Sequence, residues 1–243
     1  EPRGVSHYLP GYAQNETGKK LLAAMYFMLR GLPFIYQGQE LGMENHVFSS
    51  IDEIDDISTK EEYRRCLEAG QNEEEALQSV SHYSRDNART PFQWSDRENA
   101  GFSTKTPWLP VNKNYTSINA QEQMEREDSV FRFYQKLIAL RKDSRYTDTI
   151  VYGQTVPVLV EEKEVMAYLR RGETQTLMVI GNFRDNEILL NLENILQNYQ
   201  LRIKEVLLDN YPENTCAAWL EKEDKKNFIC KLGALQGMVL ALE

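Results

Sequence analysis

Cysteine is scarce: Cys66, Cys216 and Cys230 are the only three in 243 residues. An odd number with no Cys-x-x-Cys spacing supports neither a disulfide framework nor a zinc site, so reduced thiols and a cytoplasmic location are expected. Histidine is equally sparse, and His7, His46 and His82 stand too far apart in the sequence to read as a metal site or as a nucleophile with its base. Long apolar runs are missing as well; the run at residues 238–242 falls far short of the roughly 20 residues that span a bilayer. Basic residues do not dominate, since 28 Lys and Arg face 37 Asp and Glu, for a net charge of -9 and a pI near 5.1. That balance argues against nucleic acid and membrane partners and fits a neutral ligand. The opening Glu1-Pro2-Arg3-Gly4 lacks an initiator Met, a basic n-region and an apolar signal core, and reads as a cut inside a longer polypeptide.

What is present suits one large or two modest globular domains, with 41% hydrophobic residues to build cores. Over residues 16–30, Leu21, Leu22, Met25, Met28 and Leu29 recur at helical spacing, and Gly31 and Pro33 end the pattern, which predicts a helix. Leu32-Pro33-Phe34-Ile35-Tyr36 is a short apolar run without alternation, which predicts a strand buried on both faces of a parallel sheet. Residues 44–83 are acidic, with weak helical patterns over 60–69 and 73–82. Residues 84–119 are rich in Asn, Thr, Pro, Gly and aromatics and hold no sustained period; a long loop of this kind inside a compact region is usually functional. Asp128 or Ser129 can cap a helix reaching Arg141-Lys142. Beyond it, short β-type runs at 149–152, 165–170, 177–183, 187–192, 203–208, 228–232 and 238–242 predict an antiparallel β-domain of about a hundred residues.

Helix, buried strand, long polar loop and helix is the rhythm of the last units of a (β/α)8 barrel, in which functional groups sit on the loops after the strands. The residues themselves are more specific. Gly31-Leu32-Pro33-Phe34-Ile35-Tyr36-Gln37-Gly38-Gln39-Glu40-Leu41-Gly42-Met43 resembles the eighth strand and following turn of oligo-1,6-glucosidases and their relatives in the α-amylase superfamily. Ser84-Arg85-Asp86-Asn87-Ala88-Arg89-Thr90-Pro91-Phe92-Gln93-Trp94 matches them nearly word for word. The resemblance continues through Asn99-Ala100-Gly101-Phe102, Thr106-Pro107-Trp108, Asn114-Tyr115, Ile118-Asn119, Asp128-Ser129-Val130 and residues 137–142.

The resemblance implies an α/β fold joined to an all-β one: residues 1–144 as the C-terminal part of a catalytic (β/α)8 TIM barrel, and residues 145–243 as a C-terminal antiparallel β-sandwich. It implies retaining cleavage of α-1,6 or related glucosidic bonds, which needs two carboxyl groups about 5–5.5 Å apart. In the family those two lie on earlier strands, and a third sits in an Asn-His-Asp sequence that would end just before Glu1. On this alignment no catalytic carboxylate is present, and the chain alone is expected to be inactive. A dextran glucosidase, a trehalose-6-phosphate hydrolase and a sucrose isomerase share the same motifs; a non-catalytic carbohydrate-binding or assembly module is the reading of another class. The partners expected are an α-glucoside oligosaccharide and either a second copy or the missing barrel half. No cofactor and no metal site are expected.

Among single residues, the family's arginine at position 85 points into the glucose pocket and pairs with an acidic residue of an early loop, which this chain lacks; a guanidinium can bind hydroxyls and a carboxylate together. Ser58 stands where many relatives carry Glu, on the side that receives the leaving sugar, so it too is a substrate-binding candidate. Asp86 and Arg89 read as an ion pair within the loop, and Glu40 as a scaffold residue. Tyr36, Phe92, Trp94 and Trp108 could stack on sugar rings but are expected to be buried in loop cores. Asp52-Glu53-Ile54-Asp55-Asp56 lacks the spaced oxygens and Gly of a calcium loop and reads as a solvated face.

Overall fold

A computed structural model describes residues 2–211 and 229–243, so Glu1, Cys216 and Phe228 lie outside the described residues. The chain divides into two compact units, one of residues 1–11 and 35–131 and the other of residues 12–34 and 132–243.

The first unit is helical and loop-rich. It contains α1 (Gly4–Tyr8) and, further along the chain, α3 (Ile57–Glu68), α4 (Glu73–Ser81), α5 (Asp86–Arg89) and α6 (Ala120–Glu125), with α2 (Glu16–Phe27) belonging to the second unit. The start of α4 follows from its sequence: Asn72 accepts from the Glu75 N–H while Glu75 reaches back to the Asn72 N–H, a capping box that satisfies two orphan donors. A small apolar cluster of Leu41, Met43 and Ala120, flanked by Phe92, Ile118 and Phe131, anchors the loops. Polar bonds do the rest. Gln93 is fully buried and donates to Asn114 Oδ1 at 3.2 Å, while its backbone carbonyl accepts from Ala120 at 2.8 Å.

The second unit is built on β-structure. Strands β1 (Gln154–Val158), β2 (Val165–Arg171), β3 (Thr176–Asn182), β7 (Gly237–Leu242) and β5 (Ile203–Asp209) form one antiparallel sheet in that spatial order, and β4 (Ile188–Asn191) pairs with β6 (Ile229–Leu232) in a second. Met178, Ile180, Met238, Leu240 and Leu242 of the larger sheet share one core with Ile188, Leu190, Cys230 and Leu232 of the smaller. Strands β3 and β7 are buried on both faces because α2 covers the other side. Asn15 caps α2, accepting from the Gly18 N–H at 3.0 Å. The helix lies close to the sheet where Gly181 and Gly237 pair in register; an added Cβ there would meet Leu21 Cδ1 at 2.5 and 2.7 Å respectively. Tyr168 on β2 donates to the Met25 carbonyl, and Arg141 of α7 (Val130–Lys142) donates to the Leu29 carbonyl at 3.3 Å, closing the far end of α2.

Three sequence expectations are corrected. Residues 32–36 carry no strand, and Leu32 and Phe34 are 79% and 85% exposed. A strand needs partners, and no described strand pairs with this segment. Residues 149–152 fall in helix α8 (Thr147–Tyr152), whose Thr149 and Ile150 carbonyls accept from the buried Arg170; that cationic cap outweighs the β-preference of Thr, Ile and Val. Strand β1 and helix α9 (Glu193–Asn198) have no counterpart among the expected runs.

Candidate functional site

The site candidates gather in the first unit, around the entrance to α3 and the turn that opens α5. Asp56 ends the acidic stretch and immediately precedes α3, with its side chain only 3% exposed. Its Oδ1 accepts from Arg85 Nε at 2.9 Å and from an Arg85 terminal nitrogen, and its Oδ2 accepts from Thr59 Oγ1 at 2.8 Å. Burial alone would raise the Asp56 carboxyl, but the bonds from Arg85 and Thr59 outweigh it and hold the group well below the usual carboxylate range. Arg85 is raised in turn by its bonds to Asp56.

Arg85 is thus anchored at one edge and open at the other, with its side chain about half exposed. Its terminal nitrogen also donates to Ser58 Oγ at 3.1 Å. The two residues singled out from the sequence, 27 positions apart, therefore meet directly. What was missed is the residue that joins them. Within this chain the carboxylate that Arg85 meets is Asp56, and the solvated-face reading of residues 52–56 fails there and at Ile54, which is buried.

Asp86 stands behind this pair. It is fully buried, its Oδ2 accepts from the backbone N–H groups of Asp55 and Asp56 at 2.6 and 2.8 Å, and its Oδ1 pairs with Arg89 at 3.1 Å. The ion pairing expected from sequence is present within α5, and the bonds that Asp86 accepts from Asp55 and Asp56 tie that turn to the approach of α3. Arg3 organises the loops from below. Buried to 4% exposure, it donates to the carbonyls of Asn87, at 3.0 Å, and Gln37, and to Thr90 Oγ1 at 3.2 Å. Burial pushes its guanidinium down to about 10. Burial also raises the nearby Glu40 carboxyl, whose Oε2 has no hydrogen-bond partner among the described residues.

The aromatic candidates do not bury as expected. Trp108 is 71% exposed, and Trp94 and Tyr36 are about half exposed. Gln93 takes the inward position in its loop, so the adjacent Trp94 turns out and rests on Phe92 at 4.5 Å between centroids. No group of three or more His, Cys, Asp or Glu side chains able to hold a metal occurs among the described residues, and no described helix is long and apolar enough to cross a membrane.

Comparison with known proteins fits this geometry. Residues 1–153 match the family model described as alpha amylase, catalytic domain. Oligo-1,6-glucosidase of Bacillus cereus is 39% identical over 212 residues, 87% of this chain and 37% of that protein. Glucan 1,6-alpha-glucosidase of Streptococcus pneumoniae is 37% identical over 86% of this chain and 37% of its own length. Among solved structures, trehalose-6-phosphate hydrolase of Bacillus licheniformis superposes with a TM-score of 0.86 at 38% identity, covering 100% of this chain and 41% of that one. Isomaltulose synthase SmuA of Protaminobacter rubrum superposes with a TM-score of 0.86 at 36% identity, over the same 100% and 41%. The chain thus spans well under half the length of the relatives it matches, and within that span, from Arg3 through the Arg85 turn to α7, it belongs to the α-amylase catalytic-domain family.

Proposed function

We propose that this chain is the C-terminal part of a retaining α-glucosidase that acts on α-1,6 bonds of oligosaccharides in the cytoplasm. In this reading residues 1–144 contribute the C-terminal part of a (β/α)8 barrel and residues 145–243 form a C-terminal β-domain. The observation that carries the proposal is the Arg85 guanidinium, held along one edge by Asp56 and left open along the other beside Ser58. A fixed planar donor of this kind can bind the vicinal hydroxyls of a glucosyl unit without losing side-chain freedom on binding. Ser58 offers the leaving sugar a neutral hydroxyl where a carboxylate would add charge, and so bears on linkage choice.

Retaining hydrolysis needs a carboxylate nucleophile and a carboxylic acid set about 5–5.5 Å apart. The sequence contains no Asn-His-Asp, and its buried carboxylates Asp56 and Asp86 are occupied by arginines and backbone donors. The chain on its own is therefore inactive and works with the remaining part of the barrel, for which the exposed Leu32 and Phe34 are contacts. A phosphorylated substrate is disfavoured, because the positive charge of Arg85 is already matched by Asp56.

Hydrolysis of p-nitrophenyl α-glucoside and isomaltose by the 243-residue chain, beside a longer polypeptide carrying the family's Asn-His-Asp and earlier strands, tests this. The longer protein should turn over isomaltose and lose at least about tenfold in kcat/KM on Arg85→Ala, the order expected for one charged hydrogen-bonding group. Turnover by the short chain would overturn its inactivity, and an inert longer protein would overturn the glucosidase reading.

A further inference from the structure

Four rings gather at the surface of the first unit in an arrangement that the Arg85 site does not use. His7 meets Tyr8 edge-on at 4.6 Å and Tyr83 edge-on at 6.3 Å, and lies nearly parallel to His82 at 6.5 Å; His82 meets Tyr83 edge-on at 4.7 Å. The two carrier segments, the end of α1 and the residues after α4, are far apart in sequence. Tyr8 and Tyr83 are 69% and 65% exposed, so the cluster spends little of its aromatic surface on the core.

The backbone beneath it is fixed by amides. Asn45 donates its N–H to Ser6 Oγ at 2.9 Å and its Nδ2 to the His82 carbonyl at 2.9 Å, while its Oδ1 accepts from the Arg3 N–H at 2.7 Å. Asn87 Nδ2 adds a bond to the same His82 carbonyl at 3.2 Å. Ser6 precedes His7 and Tyr8, and the His82 carbonyl belongs to the other pair of rings, so Asn45 joins both segments and the platform is pre-organised before any ligand arrives.

We propose that His7, Tyr8, His82 and Tyr83 form a sugar-binding platform, separate from the Arg85–Ser58 contact, that takes an α-glucan oligosaccharide. Exposed ring faces suit the apolar C–H face of a pyranose, and phenol hydroxyls and imidazole nitrogens at the rim suit its hydroxyls. The cluster holds no carboxylate, Lys or Arg, which fits a neutral ligand. Tyr83 lies two residues before Arg85, within about 7 Å along the chain, so the platform neighbours the Arg85 site without depending on it. The choice of an α-glucan rests on the glucosidase reading above; the platform itself rests on the rings.

The test is titration of the 243-residue chain with isomaltotriose, followed by calorimetry and by NMR of the Tyr and His ring signals. Signals of His7, Tyr8, His82 and Tyr83 should shift together. Tyr8→Ala and Tyr83→Ala should each weaken binding about tenfold, Tyr83→Phe should keep most of it, and Arg85→Ala should leave the ring shifts in place. Both tyrosines are exposed, so an unchanged backbone spectrum will show that the variants stay folded. Absence of ring shifts, or shifts abolished by Arg85→Ala and kept by the tyrosine variants, would overturn the platform. Equal binding of cellotriose at the same rings would overturn the α-glucan assignment, whereas failure of the glucosidase reading alone would show as an inert longer protein.

Discussion

Asp86 has the most demanding position of any single residue in the first unit. Its fully buried carboxylate receives two backbone N–H groups, and Asp86→Ala would leave both without their acceptor. Each unpaired buried donor costs about 1–3 kcal/mol, so a loss of roughly 2–6 kcal/mol is expected in urea unfolding. Asp56 governs a pH effect. Its carboxyl is held below the unfolded value of about 3.9 once the bonds from Arg85 and Thr59 have overcome the opposing effect of burial. The stability it contributes is therefore fully present above that value and is lost as pH falls below it toward the depressed folded value. Asp56→Asn should flatten the acid limb of the stability profile between pH ~4 and pH ~2 and lower stability by a constant amount near neutrality, where the Asp56 contribution is fully present; an unchanged limb would mean that Arg85 does not hold this carboxylate in solution.

Helix α2 and the sheet it covers give the clearest element-scale expectation. Leu21 and Met25 are fully buried against the paired glycines of β3 and β7. Gly181→Ala should cost about 1–2 kcal/mol through overpacking, and Leu21→Ala, which removes the opposing methyls, should recover part of it in a double-mutant cycle. At the start of α4, Asn72→Ala removes the capping box and should cost about 1 kcal/mol, read as earlier loss of far-UV helicity on heating. These elements also show what the sequence could disclose. The spacing of Leu21, Leu22, Met25 and Met28 announced α2, and short β-type runs marked six of the seven described strands, because local patterns report a face that must be buried. Residues 32–36 misled because apolar content alone does not say whether a pairing partner exists. Residues 149–152 misled because Arg170, twenty residues away, caps that helix. At the site, Arg85 and Ser58 were legible from the words around them, whereas Asp56 and Arg3 were not: their roles come from bonds to segments distant in sequence, which no local pattern encodes.

Across the whole molecule the two units are held by different physics. The second has a continuous apolar core shared between two sheets, and the first relies on buried polar side chains such as Arg3, Asp86 and Gln93 around a small apolar cluster. Calorimetry should therefore show a van't Hoff enthalpy below the calorimetric one, with the transition of the first unit moving to lower temperature in acid more than that of the second. A single two-state transition at every pH would show instead that the units unfold as one. The contact of α2 with its sheet also sets a timetable for synthesis. The bond from Tyr168 to Met25 spans 143 positions, so at roughly 5–20 residues per second a ribosome needs about 7–30 s to deliver the partner after the helix has emerged. Through that interval the methionine- and leucine-lined stripe of α2 stands uncovered, and a nascent chain halted in this window is where chaperone capture or aggregation of this polypeptide would begin.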